Sequence, residues 1–195
     1  MAIAIEDIKK LREQTGAGMM KAKEALEASS GDYDKAVQWL REKGEASAAK
    51  KADREARAGL IEGYVHSGRI GVLVEINCET DFVARTEDFK NFARDIAMHV
   101  AAANPEYLKP EDIPAEVVEK EREIYRNEVK GKPAEIIDKI VDGKLGKFYE
   151  QVCLMNQAFI KDPDVTVGKL TTDLVAKLGE NIVIRRFERL ELGSN

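Results

Sequence analysis

The chain has 195 residues, of which 44% are hydrophobic and 34% charged, with a formal net charge of -5. The apolar fraction excludes a disordered chain, and the acidic balance argues against a general phosphate-backbone binder. The length suits one compact domain plus a small accessory one, and no run approaches the roughly 18 apolar residues of a membrane span. Met1 to Asp7 carries no basic n-region and no long apolar stretch, so a cytoplasmic protein without signal or transit peptide is expected.

Residues 1–45 read as three short helices. Ile5, Ile8 and Leu11 are spaced by three and stop at Thr15-Gly16-Ala17-Gly18. Met19, Ala22 and Leu26 follow, closed by Ser29-Ser30-Gly31. Asp32 is a good N-cap for a third helix with Tyr33, Ala36, Val37 and Leu40 on one face and Gly44 as its stop. Helices this short are marginal alone, so a miniature bundle around Ile8, Leu11, Leu26, Val37 and Leu40 is expected. Residues 46–58 are Ala-rich and charged without an apolar stripe, which reads as an exposed linker helix at a domain boundary.

From residue 59 to 195 the pattern is mixed. After Gly59 the apolar period falls to two, with strands over Leu60–His66 and Arg69–Asn77 and a tight Ser67-Gly68 turn between them. Thr86 caps a helix with Phe89, Phe92, Ile96, Val100 and Ala103 on its apolar face, ended by Asn104-Pro105. The segment from Pro114 to Lys130 reads as an exposed helix with a thin line through Val117, Ile124 and Val129. Pro133 opens a short helix over Ile136 to Val141, and Leu145 to Met155 marks a longer one. Leu170, Leu174 and Leu178 form a helix stopped by Gly179, and Asn181–Leu192 alternates as a last strand. Strands and helices that are mostly not in βαβ order point to an α+β fold with a small antiparallel sheet.

Little of this carries catalytic chemistry. The Gly16–Gly18 stretch follows no strand and lacks Gly-Lys-Ser/Thr, so it reads as a helix-to-helix turn. His66 and His99 have no companion ligands at metal spacing. Cys78 and Cys153 lie far apart in apolar segments and read as buried free thiols. No metal, cofactor or enzyme activity is expected. The connection Asn77-Cys78-Glu79-Thr80-Asp81-Phe82-Val83-Ala84-Arg85 is different. Phe82 either tucks back as a staple under the following helix or stands out with Asp81 as a probe into a partner.

Two long stretches resemble the signatures of the bacterial elongation factor Ts family. They are Leu11-Arg12-Glu13-Gln14-Thr15-Gly16-Ala17-Gly18-Met19-Met20 and the Asn77–Arg85 connection itself. Ala48-Ala49-Lys50-Lys51-Ala52 and Gly179-Glu180-Asn181-Ile182 match as well, so the resemblance spans nearly the whole chain in order. One departure is Asn156-Gln157-Ala158-Phe159, where the family usually has an acidic residue, Gln, Pro and Phe.

The resemblance implies a guanine-nucleotide exchange factor for elongation factor Tu. It implies that residues 1–45 form a ubiquitin-associated-like (UBA-like) docking module with Arg12, Met19 and Met20 as contacts. It also implies that Thr80, Asp81, Phe82 and Val83 intrude near the partner's magnesium site. Longer relatives carry a second core half, so this compact form is expected to be a homodimer with Val183, Arg185 and Phe187 at its interface. An adaptor for ubiquitin-like or nascent-chain ligands is the alternative reading of the bundle.

Overall fold

A computed structural model describes residues 3–131 and 133–194. Met1, Ala2 and Asn195, which end the expected domains, lie outside the described residues, as does the start of the segment read as leaderless. The fold is α+β, with eight α-helices and a small antiparallel sheet among the described residues.

The first three helices are α1 (Ile5–Thr15), α2 (Met19–Ala28) and α3 (Tyr33–Ala49). α1 ends where Gly16 takes a φ of 68° and its N–H donates to Arg12 O at 2.8 Å. α3 starts at Asp32, whose carboxylate accepts from Lys35 N at 3.1 Å. Ile8, Leu11 and Leu26 are buried as expected, together with Ala22, Ala25 and Ala36. The alanines let the helix backbones approach, which leaves Val37 and Leu40 partly buried against the cluster. Gly44 does not stop α3, and the expected linker helix over 46–58 is not a separate element. Residues up to Ala49 extend α3, and turns follow. A mid-helix glycine costs only about 1 kcal/mol relative to alanine, which the helix-forming neighbours outweigh. A Cβ at Gly44 would lie 3.2 Å from the Ala176 Cβ, so the glycine permits a close approach to a later helix.

Strands β1 (Ala58–His66) and β2 (Ile70–Cys78) form the expected hairpin. Ser67 and Gly68 both take positive φ, 50° and 68°, as a tight hairpin turn requires. Gly59 is obligatory in another way: at its φ of 143°, a Cβ would meet Ile76 O at 2.1 Å. The last strand, β5 (Ile182–Glu191), gives the sheet order β1-β2-β5. Leu192 N donates to Arg69 O at 2.8 Å and Arg186 pairs with Glu75 at 2.7 Å, so β5 runs against β2.

Between these strands come α4 (Asp81–Ala84) and α5 (Glu87–Ala103). Thr86 Oγ1 accepts from Phe89 N at 3.3 Å as the expected cap. Phe89, Phe92, Ile96 and Val100 are buried along one face. Helices α6 (Ala115–Glu128) and α7 (Ala134–Val152) pair as a hairpin. α7 is one helix rather than the expected two, because Gly143 and Gly146 are absorbed into it. Of the expected line, Val129 is buried in a cluster with Val141 and Leu145, against which Val118 and Tyr125 pack, whereas Ile124 is 41% exposed. Arg122–Asp142, Arg126–Asp138 and Lys144–Glu128 link the two helices. A small hairpin of β3 (Ala158–Phe159) and β4 (Asp162–Thr166) was not legible in the sequence, and α8 (Val167–Leu178) follows it.

The chain divides into two compact units. One holds the segment up to Leu60, Ile76–Asn91 and Leu170–Val183, and the other holds Ile61–Glu75, Phe92–Lys169 and the segment from Ile184. In the second unit, His99 is fully buried. Ile160 N donates to its Nδ1 at 3.3 Å, so Nε2 carries the proton that meets Gln157 Oε1 at 2.9 Å. Gln157 also donates to Gln151 O at 2.7 Å. Burial pushes the His99 pKa below its usual 6.5, outweighing the Gln157 hydrogen bond. The unfolded chain therefore takes up a proton that the folded one refuses. Stability from this site is complete above about pH 6.5 and falls as the pH drops toward the lower folded value. Denaturant unfolding of the wild type is expected to weaken between pH 7.5 and 5.5, and His99→Gln to show a flatter pH dependence. An unchanged slope would place the pH dependence elsewhere.

Candidate functional site

Arg12, Met19, Met20 and Thr80 to Val83, singled out in the sequence as contacts with elongation factor Tu, lie in the first unit, whereas Arg185 and Phe187 of the expected dimer interface lie in the second. Thr80 leaves β2 and becomes the N-cap of α4, its Oγ1 accepting from Val83 N at 3.5 Å. α4 is a single turn, and its buried position is taken by Ala84. Phe82 is 79% exposed, so the staple arrangement is not adopted. Phe89, on the apolar face of the next helix, is fully buried. Asp81 is exposed and pairs with Arg85 at 2.6 Å, a surface pair that contributes little stability.

A second patch flanks the Gly16–Gly18 turn. Arg12 is exposed, Met19 is 41% exposed and Met20 77%. Exposed methionines of this kind are adaptable contact groups. α8 ties this bundle to α5 within the unit. Lys21 Nζ donates to Ala176 O at 3.1 Å, Lys177 lies beside Gly16, and its ammonium meets Asp88 at 2.7 Å.

The backbone that carries Phe82 is held by residues to which the sequence assigned no role. Glu180 Oε2 accepts from Glu79 N at 3.1 Å and Thr80 N at 3.0 Å, and Oε1 accepts from Thr80 Oγ1 at 2.6 Å. In return Glu79 Oε1 accepts from Asn181 N at 2.7 Å and from Arg54 at 3.4 Å. Asn181 Nδ2 donates to Arg54 O at 2.7 Å and Ala52 O at 3.2 Å, fixing the turn after α3. Gly179, at a φ of 82°, turns the chain off α8 so that Glu180 reaches this point. Among the described residues, no group of His, Cys, Asp and Glu could hold a metal, and no helix is long and apolar enough to cross a membrane.

The family model described as Elongation factor TS matches residues 4–173. The chain belongs to the elongation factor Ts family. It is 57% identical over 194 residues to Elongation factor Ts of Thermodesulfovibrio yellowstonii, covering 99% of this chain and 98% of that one. It is 60% identical over 194 residues to Elongation factor Ts of Carboxydothermus hydrogenoformans, covering 98% and 89%. It is 58% identical over 194 residues to Elongation factor Ts of Caldanaerobacter subterraneus, covering 98% and 97%. Membership makes the protein a translation elongation factor. In the sequence, Glu79 and Glu180 stand in two separate stretches that match the family. That shared placement was the only signal of their pairing, since 101 residues separate Glu79 from Glu180.

Cys78 and Cys153 are both free and fully buried. Burial pushes the Cys78 thiol up to about 11, helped by Glu180, and burial with Asp112 does the same for Cys153. Cys78 Sγ also donates to Thr80 O at 3.1 Å. The thiolate is the reactive form. Both thiols are expected to label slowly with a thiol reagent in the native state and promptly in denaturant. Rapid native labelling of both would contradict their burial.

Proposed function

We propose that the protein is a guanine-nucleotide exchange factor for elongation factor Tu, and not an enzyme in the strict sense. The reading rests on one observation above all: a large aromatic side chain, Phe82, stands 79% exposed on a turn whose backbone is tied down. Exposed apolar groups on a held connection suit a partner pocket. Thr80, Asp81, Phe82 and Val83 enter the GTPase near its magnesium and phosphate site and disturb it. Arg12, Met19 and Met20 dock the UBA-like bundle of residues 1–45, and residues 59–195 form the exchange and dimerisation core. The protein needs no cofactor, binds no nucleic acid or membrane, and works in the cytoplasm.

Linkage sets the scale of the mechanism. Nucleotide and factor must weaken each other's binding by the same factor. A ten-thousandfold coupling corresponds to about 5.5 kcal/mol. Burying one Phe supplies roughly 1.5–3 kcal/mol of this. Loss of the contacts to the ion, a large local charge, supplies much of the rest. Phe82→Ala is expected to melt within a few degrees of the wild type and to slow release of labelled GDP from elongation factor Tu by about 10-fold or more. Full exchange activity in that variant would overturn the wedge role.

Homodimerisation is part of the same proposal. In the second unit, Ile61, Val65, Leu73, Leu190 and Leu192 are each at least half exposed, between 56% and 74%. A Cβ at Gly63 would lie 3.5 Å from Leu73, which puts β1 and β2 residues on one face. Arg186 joins Glu75 on that face, and Leu190 and Leu192 continue its alternation. Such a face favours a symmetric partner. Of the expected patch, Arg185 is exposed while Val183 and Phe187 are half-buried, so Ile61, Val65, Leu73, Leu190 and Leu192 are the better candidates for the interface. Sedimentation equilibrium at micromolar concentration is expected to show a dimer. A single species of 21.7 kDa would contradict it.

A further inference from the structure

We infer that Glu180 is the positioning residue of the Thr80–Val83 element, fixing the direction in which Phe82 is presented to the partner. The inference rests on the exchange reading above and adds to it a residue that need not touch the partner.

A side chain 79% exposed has no packing of its own to set its direction. Its orientation is inherited from the backbone beneath it. That backbone is one turn of helix, four residues long, and a helix of that length has no stability of its own. β2 anchors it on one side and α5 on the other. In between, a single carboxylate collects three donors: Glu79 N at 3.1 Å, Thr80 N at 3.0 Å and Thr80 Oγ1 at 2.6 Å. Hydrogen bonds to an ionised acceptor are the strong class. The third of them also orients the hydroxyl oxygen that caps α4 through Val83 N. Glu180 thus determines both where α4 begins and how it is capped.

Glu180 is itself fixed. The left-handed Gly179 delivers it from the end of α8. The next residue, Asn181, donates its N–H to Glu79 Oε1 at 2.7 Å. Each glutamate therefore receives bonds from the other's segment, and a closed ring joins the end of β2 to the end of α8. An aromatic probe on a loose loop would lose ordering entropy each time it bound, and preorganisation removes that cost. If Glu180 works in this way, its effect on exchange must pass through Phe82.

That requirement gives a test through coupling. GDP release from elongation factor Tu is measured by stopped flow with wild type, F82A, E180A and F82A/E180A, alongside melting temperatures. E180A is expected to slow release by roughly tenfold. The double variant should be no slower than F82A alone, because nothing remains to be positioned. E180Q, whose carbonyl oxygen can still accept the two backbone N–H groups, should recover most of the rate. If F82A is slow but E180A keeps the wild-type rate, the positioning role is wrong and the exchange reading stands. If the two losses multiply in the double variant, Glu180 acts other than through Phe82, and the inference also fails. If F82A itself releases GDP at the wild-type rate, the wedge reading fails and takes this inference with it. Should E180A not fold, E180D takes its place in the same cycle: it keeps the charge but falls a methylene short, and the same non-additivity with F82A is required.

Discussion

Two glutamates, Glu79 at the end of β2 and Glu180 after α8, exchange hydrogen bonds across 101 residues of sequence. The ring they close fixes the connection between β2 and α5, and through Asn181 it also fixes the turn after α3. Three stretches that matched family signatures thus meet in one network: Ala48–Ala52, Asn77–Arg85 and Gly179–Ile182. Each holds the end of a helix or strand and the turn beside it. Together they satisfy one another, as polar groups at a half-buried junction must.

That junction allows the molecule to combine rigidity with exposure. A large exposed aromatic usually signals either a mobile loop or a surface waiting for a partner. Here the residues beneath it are ordered by charge-assisted bonds while the ring itself is left free. The proposed exchange activity depends on that combination. A partner gains the full burial of Phe82 only if little ordering has to be done on contact. The N-terminal bundle follows the same logic at its own edge. Its alanine-lined core and the Gly16 turn hold Met19 and Met20 outward, while Lys21 and Lys177 tie the bundle within its unit.

Close backbone approach is the second constraint. Gly59 passes so near Ile76 O that no side chain fits, and Gly44 lies against Ala176 without breaking α3. The second of these explains a departure from expectation. Read along the chain, Gly44 looked like a helix stop. In the fold it is a contact point, and the helix continues past it because the residues that follow are good helix formers.

Much of the protein was legible in its residues alone. Apolar periods of three to four and of two identified the three-helix bundle, the β1–β2 hairpin, α5, α8 and β5, because burial of one face is written locally in the order of side chains. The family was legible too, since two long motifs stood in order. Element lengths were less so: α3 ran past its glycine, α7 merged two expected helices, and the β3–β4 hairpin carried too few residues for a period to register. What only the tertiary structure decided was which polar groups meet. Glu79 and Glu180 have no local pattern that pairs them, nor have His99 and Gln157, and a hydrogen bond between distant segments leaves no periodicity behind. The sequence by itself determined most of the buried faces, the family and the loop that bears Phe82, but not the α6 line or the outer half of β5, where Ile124 and Leu190 are exposed. The fold decided that Phe82 stands exposed and which carboxylate bonds the backbone before it, because the reach of Glu180 to Glu79 and Thr80 exists only once β2 and the end of α8 are brought together.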